Sequence, residues 1–115
     1  MVVAAGRDAG AEAFDRTHEL RVTRLPLAMT AWGLRSLAGL RGYVAAYRAV
    51  RRVVRENQIG QLHCGRLLPE GWIAWMMKKS QGLPYVCYVH GEETAYGVAS
   101  RELGWMMRRV IRGAD

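Results

Sequence analysis

The sequence predicts an α/β domain built on a parallel sheet, and three observations carry that expectation. Short apolar runs alternate with longer stretches of helical periodicity. Gly or Pro stands at most of the junctions between them. A polar H-G-E-E segment follows an apolar run directly, as a binding loop follows a buried strand. The 115 residues suffice for one modest core, hence one domain or part of one.

The elements follow in order. Val2, Val3, Ala4 and Ala5, ending at Gly6, read as a first strand, and Leu20 to Arg24 alternates as a second, stopped near Pro26. From Ser36 to Asn57 the period becomes helical, with Leu37, Leu40, Val44, Tyr47 and Val54 on one face as the expected core stripe. Asn57 and Gly60 supply the stop. Ile59 to Cys64 is the third strand, Gly65 to Leu68 its turn, and Pro69 the first turn of a helix carrying Trp72, Ile73, Trp75, Met76 and Met77. Gly82 and Pro84 end that helix, and P-Y-V-C-Y-V up to Val89 reads as a buried strand. Leu103, Met106, Met107 and Val110 mark a last helix before Gly113-Ala114-Asp115. Strands alternating with helices mean parallel pairing with crossovers, a Rossmann-like arrangement.

Composition narrows the partners. Half of the residues are hydrophobic and 23% are charged, which excludes a disordered chain. The net charge of +7, from seventeen Lys and Arg against ten Asp and Glu, favours an anionic partner. Cys64 and Cys87 are too few for a disulfide framework and read as buried thiols. Met1 to Ala13 lacks the pattern of a signal peptide, and no stretch reaches the ~20 apolar residues of a membrane span. A cytoplasmic protein is expected, with peripheral contact at the inner face of the membrane allowed.

In open parallel sheets, ligands bind beyond the carboxyl ends of the strands. Two loops qualify: Gly65-Arg66, and His90-Gly91-Glu92-Glu93. Gly91 lets a ligand approach the backbone, and His90 can donate, accept or titrate near neutral pH. A plain surface turn is the competing reading of the same four residues.

At these residues the sequence resembles a known family. L-H-C-G-R-L-L-P-E-G followed by L-P-Y-V-C-Y-V-H-G-E-E is similar to the acceptor domain of retaining GT-B glycosyltransferases of family four. Members include mannosyltransferases that act on phosphatidylinositol lipids. A-E-A-F-D, V-T-R-L-P and the closing R-G-A-D also match the pattern, less sharply. The resemblance implies that His90 contacts the transferred sugar, Gly91 keeps its loop close to the donor, and Glu93 closes the motif at its acidic position. Glu92 stands where the pattern varies, and Gly65 and Arg66 line the neighbouring wall. It further implies transfer from a nucleotide-sugar with retention, without cofactor or bound metal, fixed donors stabilising the leaving diphosphate. By the same resemblance residues 1–115 are a partial N-terminal domain. They lack the first strand, its Gly-rich loop and helix, and the second, donor-binding domain. The fragment alone is then expected to be inactive, and a sheet without its middle strand leaves inner edges unpaired.

A second set of candidates lies on the long helix. Arg41, Arg48, Arg52 and Arg55 are separated by seven, four and three and share a face, with Arg51 beside them. An ordinary solvated face is one reading. Attraction to an anionic leaflet is the other, at about 1 kcal/mol per basic residue, and the corresponding helix of the lipid-mannosylating relatives is also basic. A lipid-linked acceptor is thus one expectation, and a non-catalytic basic module that binds anionic lipid is the alternative. Nucleic acid is disfavoured because no stacking face or reading helix is present. Zinc on His63, Cys64, Cys87 and His90 is disfavoured because residues 63 and 64 of a strand face opposite ways. Trp72, Trp75, Met76 and Met77 exceed one buried face, so a core role plus a contact patch is expected.

Overall fold

The computed structural model describes residues 2–6, 21–25, 32–89 and 100–115. The strands are β1 (Val2–Gly6), β2 (Arg21–Leu25), β3 (Leu62–Cys64) and β4 (Tyr85–Cys87). The helices are α1 (Leu37–Asn57), α2 (Trp72–Gln81) and α3 (Arg101–Gly113). β1 pairs with β2, and β3 with β4, both in parallel. The α/β, Rossmann-like expectation is met. Among the described residues the strands form two separate pairs.

Each helix begins where its chemistry allows. Ser36 caps α1, its hydroxyl accepting from the Gly39 amide, and Ser100 caps α3 through the Leu103 amide. α1 ends at Asn57, as expected, and Gln58 just beyond it takes the left-handed conformation (φ 52°). Gly82 ends α2 in the same way, at φ 71°. Pro69 does not open α2. It lies inside a π-type turn, Leu67–Gly71, closed by the Gly71 amide on the Arg66 carbonyl, and α2 proper starts at Trp72. The strands are also shorter than their apolar runs. Only Tyr85 of P-Y-V-C-Y-V is fully buried, while Tyr88 and Val89 are exposed.

The core gathers Tyr43 and Ala46 of α1, Leu67 and Leu68 of the turn, Trp72, Ile73 and Ala74 of α2, Tyr85 of β4, and Met106, Met107 and Val110 of α3. The core face of α1 is therefore not the expected one. Gly39, Tyr43, Ala46 and Val53 are buried, whereas Leu37, Leu40 and Val44 are exposed. Close approach explains the choice. A side chain at Gly39 would collide with the Gly33 carbonyl oxygen, and Tyr43 donates its hydroxyl to the Trp32 carbonyl (2.6 Å). Small residues let α1 sit against that loop, and the bulky aliphatics are turned outward.

α3 is tied to both ends of the fold. Glu102 accepts the Leu34 and Arg35 amides (2.5 and 2.8 Å), fixing the loop that leads into α1. At its carboxyl end, the Val110 carbonyl accepts the Tyr85 hydroxyl and the Gly113 carbonyl accepts Lys78 Nζ (2.7 Å). Asp115 takes the Tyr85 amide and Lys78 on its two carboxylate oxygens. Lys78 and then the Tyr85 amide hold that carboxyl below the usual carboxylate range.

Candidate functional site

Parallel pairing of β3 and β4 brings their carboxyl ends together, with Cys64 beside Cys87. The Gly65-Arg66 loop therefore starts next to the chain that leaves Cys87, where the Tyr88 amide donates to the Cys64 carbonyl (2.9 Å). Gly65 is exposed, and a side chain there would meet no atom within 4 Å, so the loop backbone is open to a ligand. His90, Gly91, Glu92 and Glu93 lie outside the described residues.

Arg66 is oriented before any ligand arrives. Its Nε and Nη2 donate to the two oxygens of Glu70 (3.1 and 2.6 Å), a bidentate pair four residues apart, and its guanidinium lies 5.9 Å from the centre of the Trp32 ring. Glu70 was legible as the i+4 partner of Arg66, although the sequence reading did not single it out. Trp32 arrives from a distant loop and carried no signal. An open cavity beside the loop is lined by Val50, Leu62, His63, Cys64, Gly65, Glu70, Ile73 and Ala74. The two thiols face the Leu67–Gly71 turn: Cys87 Sγ donates to the Arg66 carbonyl (3.3 Å) and Cys64 Sγ to the Glu70 carbonyl (3.8 Å). His63 points elsewhere, contacting the Tyr88 hydroxyl (3.1 Å) and the Gln61 amide oxygen (3.2 Å), so it does not converge with Cys64.

The second candidate area is the outer face of α1. Leu37, Arg41, Val44, Arg48, Arg52 and Arg55 follow at steps of four, three, four, four and three, so one face carries all six. The apolar members and all of these arginines are exposed. The amino-terminal part of the expected core stripe thus shares the face of the arginines. Arg48, Arg51, Arg52, Arg55 and Glu56 line a shallow groove, and the Arg51 Nε is buried with no hydrogen-bond partner among the described residues. Among the described residues no helix is long and apolar enough to cross a membrane.

The patch expected around α2 is partly internal. Trp72 and Met77 are buried, Trp75 stacks on Trp72 at 4.5 Å between centroids, and Trp105 of α3 leans on Trp72 at 5.7 Å with its own edge exposed. Arg109 and Lys79 sit over Trp105 and Trp75 at 5.2 and 5.8 Å.

No curated protein and no solved structure matches the chain. Among the described residues, the parallel β3–β4 pair carries the exposed Gly65-Arg66 loop at its carboxyl end. The family described as glycosyl transferase 4-like domain matches residues 1–115, the whole of this sequence, and the chain belongs to that family.

Proposed function

We propose that the chain is the acceptor-side half of a two-domain GT-B enzyme that moves a sugar from a nucleotide-sugar to an acceptor with retention of configuration. Glycosyl transfer in general follows from the family. The observation that supports the finer reading is the parallel register of Cys64 against Cys87, which starts the Gly65-Arg66 loop and the chain leading to His90 from neighbouring strand ends. In this reading His90 contacts the transferred sugar, Gly91 admits the donor to the backbone, and Glu92 and Glu93 bind its hydroxyls. Gly65 opens the facing wall. Arg66, oriented by its bidentate pair with Glu70, stabilises charge that develops on the leaving diphosphate. The donor is a substrate, and the scheme uses neither cofactor nor metal. A strand outside this sequence would join the two strand pairs, and a further domain would bind most of the nucleotide.

The same reading assigns the outer face of α1 to an anionic membrane surface, with a lipid-linked acceptor. Leu37, Leu40 and Val44 reach the acyl boundary, and Arg41, Arg48, Arg51, Arg52 and Arg55 meet phosphate headgroups. The α1 face also suits the second reading, a basic module that docks on lipid without catalysis. The test is His90→Ala in the complete enzyme, read by sugar transfer and by vesicle binding together. Lost transfer with retained binding supports the enzyme reading. Unchanged transfer refutes the role of His90, and absence of transfer from the wild type across nucleotide-sugar donors leaves the docking module.

A further inference from the structure

Cys64 and Cys87 are placed for more than packing. They are register partners on adjacent parallel strands and project to the same side of the β3–β4 pair, where each thiol holds one carbonyl of the turn beyond β3. The space around them is fixed by backbone. A side chain at Gly71 would sit 3.2 Å from Cys87 Sγ and 3.1 Å from the Arg66 carbonyl, so the turn is seated directly on the sulfur. Adjacent strands run about 4.8 Å apart, inside the Cα separation of roughly 4.4–6.8 Å that disulfides span. The neighbouring Cys87 side chain, and then burial, push the Cys64 thiol well above the usual thiol range. Cys87 is half-buried while Cys64 is buried, so the pair has an outer and an inner member.

We propose that Cys64 and Cys87 form a two-thiol redox site, which a small disulfide oxidises to an internal Cys64–Cys87 bond that releases the Gly65–Gly71 loop. Cys87, as thiolate, attacks one sulfur of the small disulfide. A mixed disulfide forms and the first small thiolate leaves, taking up a proton. Cys64 then gives its proton to solvent and attacks the Cys87 sulfur, expelling the second small thiolate. Two electrons pass from the protein dithiol to the oxidant, one S–S bond replaces another, and two small thiols are the products. In the closed form neither sulfur carries a proton, so the Glu70 and Arg66 carbonyls lose those donors. Closure to the ~3.8 Å Cβ separation of a disulfide also draws the two strand ends together. The loop that carries Gly65 and Arg66 is thereby coupled to the thiol balance of its surroundings, whatever the enzyme transfers.

The experiment uses the full chain with oxidised glutathione in graded ratio to the reduced form, acid quenching, alkylation and intact mass. The wild type is expected to become lighter by two hydrogens and to refuse alkylation. Cys64→Ser is expected to stop at one mixed glutathione adduct, and Cys87→Ser to form none in the same time. A wild type that keeps glutathione adducts, or links only between chains, overturns the proposal. A second measurement needs no variant: phenylarsine oxide should bind one per native chain and be removed by a dithiol but not by a monothiol, and failure to bind overturns it equally. Hydrogen exchange over 66–72 should run about tenfold faster in the oxidised chain. Unchanged exchange refutes the release of the loop.

Discussion

Tyr85 joins the β-layer to the end of α3, and removal of its hydroxyl tests how that junction is held. Its side chain is fully buried, and the hydroxyl donates to the Val110 carbonyl, one of the last four of α3. Such carbonyls have lost their in-helix partners, and the Ala114 amide that could reach Val110 binds Ile111 instead. Tyr85→Phe keeps the ring and strands a buried acceptor, which costs about 1–3 kcal/mol. The same contact predicts a pH signature. Burial first, and then the nearby Cys87, Cys64 and Asp115, push the Tyr85 hydroxyl from 10.0 up to about 12. The folded state thus favours the protonated form. Its contribution is complete below pH 10 and declines between 10 and about 12, where the unfolded chain releases the proton first. Urea unfolding of the full chain, followed by far-UV circular dichroism at pH 7 and at pH 11, gives both numbers. Tyr85→Phe should be less stable at pH 7, and the gap to the wild type should narrow at pH 11. Equal stability at pH 7, or a gap that widens at pH 11, would refute the reasoning.

Three further outcomes are expected. Gly39→Ala, which in an exposed helix interior gains about 0.5–1 kcal/mol, should here lose about 1–3 kcal/mol because the new methyl meets the Gly33 carbonyl; a raised melting temperature would show that the loop yields. Glu102→Ala strips the Leu34 and Arg35 amides of their shared acceptor and should cost about 1–3 kcal/mol in urea unfolding, with Glu102→Gln losing less. Arg48→Gln with Arg52→Gln should weaken binding to vesicles containing phosphatidylserine by about thirtyfold, from about 1 kcal/mol for each charge. Flotation that is unchanged, or wild-type binding that is equal on neutral vesicles, would remove the membrane assignment.

The sequence was most readable where local chemistry decides. Ser36 announces the start of α1, Gly82 stops α2, and the spacing of Met106, Met107 and Val110 places α3 and its buried face. It misled where long-range contacts decide. α1 buries Gly39 because the Gly33 carbonyl passes close to it, and hydrophobicity summed along the helix favours Leu37, Leu40 and Val44 instead. Pro69 reads as a helix start by local rule, yet the turn it occupies is fixed by the Arg66 carbonyl and the sulfurs behind it. Of the candidate site, the loop at Gly65 and Arg66 was readable as a strand end. That Trp32 and Glu70 flank the guanidinium depends on the approach of a distant loop in one case and on the local turn in the other.

The indole cluster has an optical consequence. Trp72 and Trp75 stack at 4.5 Å with 22° between their planes, close enough for their transitions to couple and give a signed near-ultraviolet dichroism that vanishes when α2 loosens. Trp105 adds an emitter on α3 whose edge is exposed, under the Arg109 guanidinium. The Trp32 indole lies beside the Arg66 guanidinium. The four tryptophans therefore divide the molecule into two reporters, one for the α2–α3 interior and one for the loop wall, and replacement of Trp32 by Phe would leave a signal that follows the interior alone.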